Sequence, residues 1–387
     1  MEFLYEIYNM ASANGFIDFK ENVPTELEKN LKYTLRSYQK EALGRYLHYK
    51  EDTKNRLSPE HVLYNMATGS GKTLLMASLI LEKYQQGERN FIFFVNNENI
   101  LTKTRDNFLT VGAGKYLFAE KIVLNNQVVP VREVTDFSDS NPNAINIVFT
   151  TIQKLHQDLN TPRENRLSYE QFEDISVVLL ADEAHHLNAG LNAGEKKDNT
   201  SWTSTIENIQ KTAKKSSLLE FTATIDLNNK DIAQKYEKHL IYKYDLKEFR
   251  LDKYSKDVLF HLVDSDVSAR MLQAILISQF RKKIALKNGI NLKPLVMFKS
   301  QKIAESKGNL DSFLDLLTNL SVQQIVAQRE LAQEGILKQA FDFFDQSGLS
   351  DKDLIAELQE DFRLERLLLI DGKNKTSNSL VELNTLE

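Results

Sequence analysis

Between residues 60 and 225 the hydrophobic positions fall in short continuous runs and do not alternate with polar ones. HVLYNM (61–66), FIFFV (91–95), INIVFT (145–150), SVVLLA (176–181) and SLLEFTA (217–223) are apolar at odd and even positions alike. A strand apolar on both faces is covered on both faces, which is the condition of a parallel sheet sandwiched by helices. Between the runs the spacing becomes helical. TLLMASLILEKY (73–84) turns Leu74, Leu75, Ala77, Ile80 and Leu81 to one side, and ENILTKTRDNF (98–108) does so with Ile100, Leu101 and Phe108. Strands separated by helices predict an α/β doubly wound fold.

After about residue 250 the pattern changes. VSARMLQAILISQFRKKIALKNG (267–289) predicts a long helix ending at Gly289. PLVMFKS (294–300) and RLLLI (366–370) read as strands on either side of a helical region, 301–363. The expected division is an N-terminal α/β domain over 1–250, a helical linker over 251–292 and a partial second α/β domain over 293–387. LNAGLNAGEKKDNTSW (187–202), with its small tandem repeat, reads as a flexible surface loop.

Composition narrows the class. The chain has 387 residues, of which 42% are hydrophobic and 27% charged, ordinary values for a water-soluble globular protein. It has no cysteine, which excludes disulfides and cysteine-ligated metal and fits a reducing cytoplasm, the expected location. MEFLYEIYNM has no cationic stretch followed by an apolar run, so it is not a signal peptide, and no segment has the roughly 18 apolar residues of a membrane helix. The net charge of −5 argues against a module that binds nucleic acid by a basic surface alone. It leaves room for a local groove.

Four segments carry chemistry. NMATGSGKT (65–73) follows a strand and opens a helix. Gly69 and Gly71 let the backbone N–H groups of Thr68 to Thr73, Ser70 among them, turn toward phosphate oxygens, and the helix adds its positive end. Lys72 would reach the terminal phosphates of a triphosphate and Thr73 would place its hydroxyl on Mg²⁺. In LLADEAHH (179–186), two carboxylates end a buried strand; Asp182 would hold Mg²⁺ and Glu183 would act as general base toward water. His185 and His186 lack further ligands at zinc spacing. In EFTATID (220–226), Thr222 and Thr224 could hydrogen-bond that acidic pair and couple to its state, and in LRSYQKEAL (35–43), Gln39 offers the donor and acceptor that read an adenine edge.

In this order the four segments resemble a superfamily 2 helicase or translocase of the DEAH-like kind. LRSYQ stands where that family places its adenine-reading glutamine; MATGSGKT matches its phosphate loop, in which the first glycine is commonly replaced; DEAH (182–185) matches its Walker B box and TAT (222–224) its third motif. The resemblance covers roughly 35–300. FVNNENILTKTRDNF (94–108) and KPLVMFKSQKIAES (293–306) look most like the restriction subunit of type III restriction–modification enzymes. A type I restriction motor or a repair helicase is the alternative within the class, and an ATP-binding module without sustained hydrolysis is the alternative outside it.

The resemblance implies a RecA-like fold, ATP and Mg²⁺ as cofactors, DNA as track, a modification methyltransferase as partner and no membrane. It puts strand-contacting motifs at VNNENIL (95–101) and FTTIQKL (149–155), so Asn96, Asn97, Thr150, Thr151 and Gln153 are expected to touch the DNA backbone. The basic clusters at Lys211, Lys214 and Lys215 and at Arg281, Lys282, Lys283 and Lys287 read as solvated helix faces. The family's arginine-bearing motif and a nuclease constellation are not recognisable before Glu387, so the second RecA-like lobe is expected to be incomplete.

Overall fold

The computed structural model describes residues 2–161, 166–185, 196–256, 261 and 265–369, with 196–201 by their backbone alone. They fall into two compact units, Met1–Asp257 and Val258–Glu387.

The first unit begins with α1 (Leu4–Ala13), α2 (Thr25–Lys29) and α3 (Ser37–Glu51). Then come β1 (Glu60–Met66), α4 (Lys72–Gln85), β2 (Asn90–Val95) and α5 (Glu98–Leu109). A hairpin of β3 (Val123–Leu124) and β4 (Gln127–Val128) precedes β5 (Val131–Glu133), β6 (Ile145–Thr151) and α6 (Ile152–Asn160). The unit continues through β7 (Ser176–Ala181), α7 (Lys196–Thr212), β8 (Lys215–Thr222), α8 (Lys230–Tyr236), β9 (Leu240–Tyr244) and α9 (Leu246–Leu251).

Seven strands form one sheet in the order β5-β6-β2-β7-β8-β1-β9, every neighbour parallel. The five predicted strands are its centre. The two that the hydrophobic runs do not announce, β5 and β9, are short edge strands that carry charge at Arg132, Glu133 and Lys243, as edges commonly do. Alternate side chains serve opposite layers. Val62, Tyr64, Phe91, Phe93, Leu219 and Phe221 pack toward α3 and α4. Ile92, Phe94, Leu179, Ala181 and Leu218 pack toward α6 and α7. Burying each large side chain contributes about 1.5–3 kcal/mol, so the two layers fix the sheet between helices.

The amino ends of the strands are pinned by a buried ion pair. Lys83 Nζ, near the end of α4, donates to Glu60 Oε1 at 2.5 Å and Ser217 Oγ at 2.8 Å, and Tyr46 OH donates to the same Glu60 oxygen at 3.0 Å. One end of α4 is thereby tied to β1 and β8, which aims its other end at the carboxyl edge of the sheet.

The second unit, among the described residues, is helical: α10 (Val267–Lys287), α11 (Ile303–Thr318), α12 (Val322–Leu331), α13 (Gly335–Gln346) and α14 (Asp351–Asp361). Leu272, Ile275, Phe280, Phe313, Phe341 and Leu358 share its core. This corrects three expectations. The helix expected as a linker is a core element of this unit. Residues 294–300 and 366–369 form no strand, and Leu295 and Met297 are 69% and 79% exposed. An apolar run becomes a strand only where a ladder partner satisfies its backbone, and no such partner stands among the described residues. Of the predicted loop 187–202, residues 187–195 lie outside the described residues, and 196–202 belong to α7.

Candidate functional site

The strand order sets β7, β8 and β1 side by side, and each delivers one of the sequence segments from its carboxyl end. Asn65 Nδ2 donates to Thr222 O at 3.3 Å where β1 and β8 finish.

Met66 is the last residue of β1, fully buried in the layer beneath α3 and α4. The position usually given to glycine here serves as a core anchor. Gly69 and Gly71 have φ of 80° and 79°, the left-handed region that a side chain disfavours. Gly71 caps α4 and Lys72 is its first residue. A Cβ on Gly71 would also run into Gln39 Nε2. Inside the loop, Ser70 Oγ is buried and has no hydrogen-bond partner. A buried hydroxyl without a partner costs roughly 1–3 kcal/mol. Beside a helix N-terminus it fits an oxyanion ligand such as a phosphate. Lys72, also buried, donates from Nζ to Met66 O at 3.3 Å.

The start of α3 grips the loop from outside. Ser70 O accepts from Tyr38 OH at 2.8 Å and from Gln39 Nε2 at 2.9 Å, while Gln39 Oε1 accepts from Arg36 N at 2.8 Å. Gln39 therefore touches the loop itself. Tyr38 is a loop contact that sequence reasoning missed, although its place beside Gln39 was the available signal.

At the end of β7, Asp182 Oδ1 accepts from Glu183 N at 2.9 Å, and Glu183 sits in the left-handed region at φ 53°. Burial pushes the Asp182 carboxyl up to about 6; Lys72 opposes the rise and Glu183 adds to it. The Lys72 ammonium therefore stands close enough to act on the Asp182 carboxylate. The Glu183 carboxylate lies 3.3 Å from His185 Nδ1, which lies 3.0 Å from Thr222 Oγ1. Thr222 Oγ1 also donates to Thr224 O at 2.8 Å and accepts from Thr224 N at 3.2 Å. His185 thus stands between Thr222 and Glu183, two groups expected from the sequence to be in direct contact. His186 lies outside the described residues, and no cluster of three or more metal-ligating side chains occurs among them.

The five residues expected to contact DNA divide. Asn97 caps α5 by accepting from Asn99 N at 2.8 Å, and Thr151 caps α6 by accepting from Lys154 N at 3.3 Å. Thr150 is buried and bonds Thr151 O. In this structure the hydroxyls of Thr150 and Thr151 are buried and engaged in local hydrogen bonds. Asn96 and Gln153 reach the surface and hydrogen-bond each other beside the two helix N-termini.

A parallel sheet with a glycine loop after β1, an acidic pair after β7 and a threonine turn between them defines a RecA-like P-loop protein built to hold a nucleoside triphosphate. The family model for the type III restriction enzyme, res subunit, matches residues 32–227, and the chain belongs to that family. It is 40% identical over 330 residues to the probable type III restriction-modification enzyme HindVIP Res subunit of Haemophilus influenzae, a match that covers 77% of this chain and 63% of the relative. The chain thus spans less than two thirds of that relative's length. Among solved structures, the Pyrococcus furiosus Hef helicase domain matches at 16% identity and a TM-score of 0.36, over 89% of this chain and 69% of that one. The DNA-bound type ISP restriction-modification enzyme LlaBIII matches at 16% identity and 0.44, over 78% and 22%.

Proposed function

We propose that the first unit is the ATP-driven engine of a restriction-enzyme Res subunit and that it travels along DNA. The observation that carries this is the phosphate loop: two left-handed glycines, an unpartnered buried Ser70 hydroxyl, and Lys72 facing an Asp182 whose carboxyl is held high by burial. The loop N–H groups, Ser70 and Lys72 would hold the triphosphate, with Thr73 and Asp182 at Mg²⁺. The bound ion would supply charge neutralisation at the phosphates. Glu183 would accept the proton of the attacking water, and His185 would carry its state to Thr222 and onward along β8. Asn96, Gln153 and the N-termini of α5 and α6 would take DNA phosphates, a contact that ignores sequence as a moving protein requires. By likeness to the HindVIP relative, the proposal extends to a modification methyltransferase as partner, to DNA cutting by the assembled enzyme, and to the second unit as part of the motor's second lobe.

The test is calorimetry with Mg²⁺–ATP and a steady-state ATPase assay with and without duplex DNA. Lys72→Ala should abolish binding, because it removes the phosphate-facing charge. Glu183→Gln should bind normally and lose turnover. If Glu183→Gln lost binding as badly as Lys72→Ala, Glu183 would be a ligand-holding residue and the assignment of the base would be wrong.

A further inference from the structure

Arg36 stands just outside the phosphate loop. Its guanidinium carbon lies 4.7 Å from the ring centroid of Tyr254, and its Nη1 donates to Tyr38 OH at 3.3 Å. Among the described residues it makes no ion pair, although it is exposed. Tyr254 follows β9 and α9 in the chain. It is held edge-on by Tyr38 at 5.2 Å and lies against Phe249 at 5.9 Å and 19°. Tyr38 in turn stacks on Tyr244 at 4.4 Å and donates to Ser70 O. One aromatic stack thus links the last strand of the sheet, the phosphate loop and a flat exposed cation.

A guanidinium is planar and has two faces. The guanidinium carbon stands over the Tyr254 ring, and the side chain is otherwise exposed. Planar cations stack on aromatic rings and on bases alike. We propose that Tyr254 is a positioning residue for the nucleotide base: it holds Arg36 flat, so that the base of a triphosphate bound in the loop stacks on the outer face of the guanidinium. This rests on the nucleotide reading of the loop. Nothing in the sequence near 254 marks the residue, because its partner is 218 positions upstream.

The experiment compares ATP with inorganic tripolyphosphate, both with Mg²⁺, by calorimetry on the full chain. Tyr254→Leu keeps an apolar side chain against Phe249 and removes the π face. It should weaken ATP about three- to tenfold, the scale of an exposed cation–π contact plus lost stacking, and leave tripolyphosphate unchanged. Tyr254→Phe should restore wild-type ATP affinity. In an Arg36→Ala background, Tyr254→Leu should have no further effect, since the two act as one unit. Equal loss for ATP and tripolyphosphate would mean that Tyr254 only braces the loop, and unchanged ATP affinity in Tyr254→Leu would remove it from the base site; either overturns the proposal. A wild-type chain that binds neither ligand would overturn the nucleotide reading itself and this inference with it.

Discussion

Asp182 carries a cost that the protein bears for its site. Its carboxyl is raised from the ordinary 3.8 to about 6 by burial. The folded state therefore holds this proton up to about pH 6, whereas the unfolded chain releases it near pH 4. Between those values the folded state binds more protons, so stability falls as pH rises and stays low above pH 6. The penalty amounts to about 3 kcal/mol. Asp182→Asn should raise stability by up to that amount at pH 7.5 and leave it unchanged at pH 4, as measured by urea unfolding at both values. The same proton competes with Mg²⁺, so the affinity of the wild type for Mg²⁺–ATP should drop about tenfold per unit below pH 6. That Lys72 and Asp182 come close was legible in the sequence, because motif order places both at carboxyl ends of strands. The position of His185 between Glu183 and Thr222 was not, because those two meet only when β7 and β8 pair.

At the scale of elements, glycines and caps divide the labour. Gly71→Ala would force a Cβ into the left-handed region and against Gln39 Nε2. It should cost roughly 1–3 kcal/mol and abolish ATP binding, and thermal unfolding together with calorimetry would show both. Thr151→Ala should cost about 1 kcal/mol, because it removes the cap of α6. Asn96→Ala should leave stability unchanged and weaken duplex DNA, as read by fluorescence anisotropy. If Thr151→Ala instead weakened DNA with no loss of stability, its hydroxyl would belong to the track and not to the helix. Continuous apolar runs identified the five central strands correctly. The same signal failed at 294–300, since hydrophobicity reports what a strand would bury and not whether a partner is present to pair with it.

For the whole molecule, the two units have separate cores. The hydrogen bonds and charges described around the phosphate loop come from residues 36–254, all within the first unit. A fragment of residues 1–257 should therefore bind Mg²⁺–ATP within about twofold of the full chain by calorimetry. A larger loss would show that the second unit contributes to the ground-state site. The α/β order of the first unit could be read from periodicity alone, whereas the second was misread because its helices and its extended segments share one apolar composition.

The grip of Gln39 on the loop has one more consequence. An amide can be turned end for end, and a free glutamine serves adenine or guanine equally well by doing so. This one is keyed. Its NH₂ donates to the Ser70 carbonyl at 2.9 Å and to the Gly71 carbonyl at 3.5 Å, and its oxygen accepts from the Arg36 N–H; reversal would set oxygen against oxygen and hydrogen against hydrogen. What remains for a base is a single lone pair on Oε1, which welcomes the amino group of adenine and repels the carbonyl of guanine. The choice of purine would thus be made before any nucleotide arrives, by a backbone that allows the reader only one way to face.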